Sequence, residues 1–403
     1  MQHGSPVRTV IFLLCILQGS HSLPVPRSIA PSPCELCNLL LPATKSFLAL
    51  NASILIEQLG IQLCQSLHLA DDAVCVGMIA EYSPVLFQIL RHSPLSTREI
   101  CGVVFHCIPQ AQIPALQWNI TLPAPASVFS VLHLADLHID TNYKPGSNAN
   151  CGRPLCCRDG TPTSDETGAD FWGDYRTCDL PRWTAESMLE HIVRTEEQID
   201  FVYFTGDIAP HDVWQQTEAK DLEEISFTTR LLQRTFPEKK IYPCVGNHEA
   251  APPDLFRPND MSWLYETLAQ QWIGQFGLDE RTRATILKGG YYTTMVTSHI
   301  RLISLNMNYC TENNYWLLIN STDPLGQMQW VRVLFEHSGS ICVSPRLDDR
   351  LAAVRGRASP KGAHHRPSSA THVHGLVQLG IRSHRQSVPK HHCCSILRPH
   401  AQR

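Results

Sequence analysis

The chain has 403 residues, 43% apolar and 17% charged, with a formal net charge of −4. That length holds two or three domains with cores of their own, and the composition excludes a fibrous or low-complexity protein. Charge is uneven: residues 338–403 carry eleven Lys/Arg against two acids, which leaves the preceding chain near −13.

In chain order, Arg8 before an apolar run at 10–17 and the small residues Gly19, Ser20 and Ser22 predict a secretory signal over 1–22. The run is too short for a membrane anchor, and no later stretch reads as long and apolar enough to span. Asn51, Asn119 and Asn320 each open an N-x-Ser/Thr glycosylation triplet. Sixteen cysteines in such a chain imply disulfides. Losing Cys15 with the signal leaves an odd number, so at least one stays single or pairs between chains.

Residues 30–111 form a first unit. Cys34, Cys37, Cys64, Cys75, Cys101 and Cys107 punctuate apolar residues at helical spacing, such as Phe47, Leu50, Ile54, Leu55, Leu59 and Leu63. A unit this small has little core, so cross-links are expected to stabilise it. Cys34-x-x-Cys37 could be half a zinc site or a redox pair, but no nearby Cys/His pair completes a zinc site, and disulfides are the better reading. Residues 112–127, with Pro114, Pro123 and Pro125, read as a stiff linker.

From residue 128 strands and helices alternate. Residues 128–134, 201–205, 241–245 and 300–306 read as strands, and 289–296 as a hairpin strand. Residues 184–199, 214–236 and 262–276 read as helices. This order predicts an α/β sandwich over 128–335. No Phe, Trp or Tyr follows Phe335, although the chain has 31. Residues 336–403 therefore read as a disordered tail.

Three of the strands end in chemically loaded tracts: Asp136-Leu137-His138, Gly206-Asp207 and Gly246-Asn247-His248-Glu249, with His211 four residues after Asp207. Carboxylate, amide and imidazole donors suit Zn²⁺, Mn²⁺ or Fe. If the first strand persists, Asp136 and His138 point the same way and reach one cation. Asp207 is placed to bridge two cations, and Asn247 offers an oxygen to the second. Two such cations clamp both oxygens of an in-line phosphoryl displacement. His248 and His211 are candidate proton donors. Taken singly, Asp-x-His is common, Gly-Asp after a strand is usually a turn, and Asn-His-Glu can cap a helix. It is their order, each after an apolar strand, that points to a site. His133 lies within its strand and reads as structural.

The six cysteines of the first unit resemble a saposin-B-type domain, a helical lipid-binding module. The resemblance implies the pairs Cys34–Cys107, Cys37–Cys101 and Cys64–Cys75. The later tracts resemble the calcineurin-like metallophosphoesterases. Leu132–His138, Thr205–Ile208, His211–Trp214, Tyr242–Glu249, Leu302–Asn308 and Tyr315–Pro324 narrow this to the acid sphingomyelinase family. The expected architecture is a four-layer-type α/β metallophosphoesterase sandwich, incomplete here, behind a small all-α disulfide-linked saposin-like domain. The family implies two zinc ions held by Asp136, His138, Asp207 and Asn247, with His248 and His211 at the phosphate and leaving group. It also implies the disulfides Cys151–Cys156 and Cys157–Cys178. The implied reaction cleaves sphingomyelin to ceramide and phosphocholine at a membrane surface, by a secreted or lysosomal monomer without nucleic acid.

The family pattern breaks after Asn247. A Gly-His tract and a Gly-His-Thr-His tract, which supply its remaining zinc ligands, do not occur. Thr371-His372-Val373-His374 lacks a strand or aromatic neighbour and is no substitute. Residues 363–370 and 395–402 can, however, be encoded so that reading one nucleotide later yields His-Ile-Ile-Gly-His-Leu-Pro-Pro and Gln-Phe-Phe-Gly-His-Thr-His. The tail after about 335 is thus expected to be out-of-frame translation, and the chain to be inactive and poorly secreted. Transcript sequencing tests this; third-position bases incompatible with those codons would refute it. Two other readings are a nucleotide phosphodiesterase and a non-catalytic lipid-binding protein. Nucleic-acid binding through the basic tail is disfavoured because it lacks aromatics for stacking.

Overall fold

Ser32 starts the first helix with a reciprocal cap: its hydroxyl accepts the Glu35 N–H while the Glu35 carboxylate accepts the Ser32 N–H. The computed structural model describes residues 32–107, 128–164, 166–196, 198–298 and 300–342, with side chains as far as Phe335. The signal, the linker with Asn119, and residues 343–403 lie outside that range. The chain divides into two units at Leu325/Gly326.

The helices α1 (Pro33–Ala49), α2 (Ser53–Ser66), α3 (Asp72–His92) and α4 (Thr97–Val104) open the first unit. Ser96 and Glu99 repeat the reciprocal cap at α4. Cys34–Cys107 and Cys37–Cys101 tie α1 to the α4 end, and Cys64–Cys75 ties α2 to α3. Leu41, Ile56, Ile79, Leu86, Phe87 and Ile100 fill the space between the helices. By length and composition α3, 21 residues long, could cross a membrane. The expectation that no later stretch is so long and apolar therefore fails. Val74, Ile79, Tyr82 and Leu86 nevertheless put half of α3 in a protein core, where an apolar helix is equally at home.

That core continues into later chain: Leu155, Val213, Trp214, Leu255, Tyr315, Trp316 and Leu318 belong to it. Gly77 on α3 lies against the Trp214 backbone, where a Cβ would stand 2.2 Å from the Trp214 carbonyl oxygen. The helices therefore pack directly on the α/β portion.

There β1 (Val131–Leu134), β4 (Phe201–Phe204) and β5 (Lys240–Pro243) form a parallel sheet in the order β1-β4-β5. Helix α5 (Arg182–Thr195) precedes β4, and α6 (Glu218–Thr235) lies between β4 and β5, as parallel crossovers require. Leu134 pairs with Phe204, and Phe204 with Pro243, so the three strands end level. A short parallel pair, β2 (Ile139–Asp140) with β3 (Leu180–Pro181), flanks the loop pinned by Cys151–Cys156 and Cys157–Cys178. Then come α7 (Ser262–Gly274), α8 (Arg283–Gly289) and the antiparallel hairpin β6 (Tyr292–Met295)/β7 (Arg301–Ser304). The second unit contains α9 (Gln327–Cys342), which runs across the boundary expected at 335.

Two boundaries differ instructively from expectation. Strand β1 is four residues, not seven: it starts at Val131 rather than 128 and ends at Leu134 as expected. Helix α6 starts at Glu218 rather than 214, because Trp214 is buried against the helical core and Thr217 caps the helix by accepting the Lys220 N–H.

Candidate metal centre

Level strand ends deliver three loops to one edge, the place where open parallel α/β sheets bind ligands. The Asp136 N–H donates to the Gly206 carbonyl at 3.0 Å, and the His138 N–H to that of Asp207 at 3.4 Å, so the first loop clips onto the second. The His248 N–H donates to Asp207 Oδ1 at 2.9 Å, clipping on the third. Gly246 sits so close to Asp207 that a Cβ would stand 2.2 Å from the Asp207 nitrogen. The glycine before Asn247 is therefore a steric requirement.

Asp136, His138 and Asp207 have positive φ, +54°, +35° and +66°. Few residues tolerate that region. Asp136 and His138 thus reach the centre on a left-handed turn, not by strand alternation as the sequence suggested. Their ligand atoms and that of Asp207 all lie within 4.8 Å of one another. Those of His138, His211 and His248 form a second such group. His138 belongs to both, with its Nε2 3.3 Å from Asp207 Oδ2. Its Nδ1 donates to the Ala209 carbonyl at 2.7 Å, which leaves Nε2 facing the centre.

The electrostatics fit a bound cation. Burial raises the Asp136 pKa, and the neighbouring Asp207 carboxylate raises it further. Burial also favours a neutral Asp207, but the His138 hydrogen bond and the His248 and His138 rings hold it well below the usual range. Burial disfavours a charged His138, yet Asp207 carries it up to about 9. Burial pushes His248 down to about 3. His248 Nδ1 and Glu249 Oε2 are buried with no hydrogen-bond partner. Paired carboxylates, clustered imidazoles and an orphaned ring nitrogen are a donor set that positive charge would satisfy.

Asn247 lies on a 3₁₀ turn, Asn247–Glu249. Its backbone carbonyl accepts the Asp254 N–H at 3.0 Å, and burial with the Asp207 charge raises the Asp254 pKa to about 6. Sequence reasoning missed Asp254, and also Asp179, which holds His211. Neither belongs to a local pattern. Glu249 lay within a recognised tract, but its acceptance of the Asp207 N–H at 2.8 Å is visible only in three dimensions. His133 stands outside both ligand groups and meets Thr205 Oγ1 at 3.0 Å. Asn51 and Asn320 are exposed.

The fold and site define a phosphoesterase with a divalent-metal centre. Residues 129–357 match the calcineurin-like phosphoesterases, and the chain belongs to that family. It is 37% identical to human sphingomyelin phosphodiesterase over 321 residues, covering 74% of this chain and 50% of that protein. The Bos taurus sphingomyelin phosphodiesterase is 38% identical over the same length, with 74% and 51% covered. Sphingomyelin phosphodiesterase B of Dictyostelium discoideum is 35% identical over 317 residues, with 74% and 49% covered. The chain thus spans about half the length of these curated relatives.

Proposed function

We propose that the centre belongs to a zinc-dependent sphingomyelin phosphodiesterase of the secretory or lysosomal route, releasing phosphocholine and leaving ceramide. The observation that carries this reading is the convergence of Asp136 and His138, from the end of β1, with Asp207, from the end of β4, in a chain whose relatives bear that name.

Asp136, His138, Asp207 and Asn247 would hold zinc, which mixed carboxylate, imidazole and amide donors suit. Bound divalent cations supply an activated water and neutralise phosphoryl oxygens. The chain's own residues orient and protonate. His211, partly exposed and gripped by Asp179, is placed to give a proton to the leaving alkoxide. His248, kept neutral by burial, can donate a hydrogen bond to a phosphoryl oxygen.

Helices α1 and α2 favour a lipid substrate. Leu39, Leu50 and Ile54 are each about two-thirds or more exposed, and Leu55, Leu59 and Leu67 add to that apolar surface. The two tracts missing after Asn247 leave fewer imidazoles for zinc, so weak metal binding and no turnover are expected of the chain as it stands.

Zinc titration of the 403-residue chain tests the site: weak binding, lost in Asp207→Asn, is expected. Phosphocholine release from sphingomyelin vesicles tests the reaction: none from this chain, and release once the two missing tracts are restored. If the restored chain prefers nucleotide diesters, the assignment moves to a nucleotide phosphodiesterase. Vesicle binding with no zinc binding at all would make it a non-catalytic lipid-binding protein.

A further inference from the structure

Three large aromatics face water within five positions of the second disulfide loop. Phe171 is 57% exposed, Trp172 60% and Tyr175 fully. Single exposed aromatics are ordinary, but a cluster calls for a partner.

The cluster is held in place. Phe171 packs on Trp183 with ring centroids 5.3 Å apart, and Trp172 meets Phe171 edge-on at 5.1 Å. Trp183 Nε1 donates to the Phe171 carbonyl at 2.7 Å, and Thr184 Oγ1 to the Trp172 carbonyl at 3.0 Å. The Tyr143 hydroxyl donates to the Asp170 carbonyl at 2.7 Å. The Cys157–Cys178 bridge closes the loop. These bonds thus hold the backbone while the rings stay outside.

Charge narrows the partner. Asp170 and Asp174 flank the rings, and Arg176, the only base in residues 169–178, is engaged by Asp174 at 2.6 and 2.8 Å. Within residues 169–178 no cation is left over for an anionic headgroup or a nucleic acid. Aromatic faces beside carboxylates suit a trimethylammonium group instead.

The loop also adjoins the apolar surface of the helices. Arg153 pairs with Asp71 at 3.4 Å, Leu155 is buried in the helical core, and the Cys156 N–H donates to the Thr177 carbonyl at 2.6 Å. Leu67 and Leu69, both exposed, precede Asp71 in the α2–α3 turn. On the loop's other side Asp179 follows Cys178 and grips His211.

We propose that residues 169–178 form a second lipid contact, an aromatic ledge that seats the choline headgroups of a zwitterionic bilayer and continues the helical apolar surface toward the metal centre. This rests on the lipid-substrate reading above.

Binding of the full chain to phosphatidylcholine vesicles with brominated acyl chains, compared with phosphatidylserine vesicles, tests it. Trp172→Ala with Tyr175→Ser is expected to weaken phosphatidylcholine binding about tenfold or more, with unchanged circular dichroism. Trp172→Phe is expected to keep binding but lose part of the tryptophan quenching by bromine, and phosphatidylserine is expected to bind no tighter. Full binding by the double variant, or undiminished quenching in Trp172→Phe, overturns the ledge. So does a concentration-dependent dimer that the double variant abolishes without changing vesicle binding. Leu50→Ser with Ile54→Ser separates the two levels. If only that variant loses binding, the lipid reading stands and the ledge falls. If the unaltered chain binds no vesicles, both fall.

Discussion

The Asp179 carboxylate grips His211 twice, accepting its backbone N–H at 2.7 Å and facing its ring Nδ1 at 2.8 Å. Burial works against an ionised Asp179, but these bonds to His211 outweigh it and hold the pKa below the usual carboxylate range. One side chain thus sets both the backbone and the ring orientation of His211, with Nε2 directed away from Asp179.

Asp179→Ala releases both atoms. The His211 amide is expected to exchange with solvent at least about tenfold faster. In the chain with restored tracts, turnover is expected to fall about 10–100-fold, more for poor leaving groups than for aryl esters. Unchanged exchange at His211 would show that another group holds it.

Asn247 is fixed by its backbone, whose carbonyl accepts the Asp254 N–H at 3.0 Å. Asn247→Ala keeps that bond and removes the side-chain oxygen, so zinc affinity is expected to fall at least about tenfold, measured by competition with a chelating dye. Equal affinity would remove Asn247 Oδ1 from the ligand set.

A buried acidic network predicts greater stability in acid. Arg158 bonds Asp140 at 2.9 Å and Asp212 at 2.7 Å. On α6, burial raises Asp221 to about 8 and Glu224 to about 7, with neighbouring acids adding to both. Unfolded, these carboxyls titrate near about 4. The folded state therefore binds more protons between pH 4 and 8, and their contribution, complete below about pH 4, is lost as pH rises through 7 and 8. Asp221→Asn mimics the protonated form. It is expected to raise stability at pH 8 by about 1–2 kcal/mol and to change little at pH 4. Melting curves at both pH values check this; equal shifts would refute it.

Cys37–Cys101 closes 64 residues of the helical unit. Cys37→Ser is expected to cost about 2–5 kcal/mol and to abolish vesicle binding. Binding that survives reduction would place the lipid contact wholly outside the helices.

The legible part of the site was the part written in contiguous tracts. Asp136, His138, Asp207, Asn247, His211 and His248 stood out because each follows an apolar run or another motif. Their approach was not legible. Positive φ at Asp136 and His138 goes with the backbone bonds to Gly206 and Asp207, which no period-two pattern encodes. Asp179 was hidden because it acts across 32 positions, and Asp254 because its N–H bonds back to Asn247 from outside any tract. The core helices were legible from apolar spacing, whereas the start of α6 depended on where Trp214 is buried.

Gly77 leaves α3 flush with the Trp214 backbone, three residues beyond His211. Any bulkier residue there would have to wedge the two surfaces apart. A change in the helical unit would thus disturb the metal centre from a distance, without altering a single group that belongs to it.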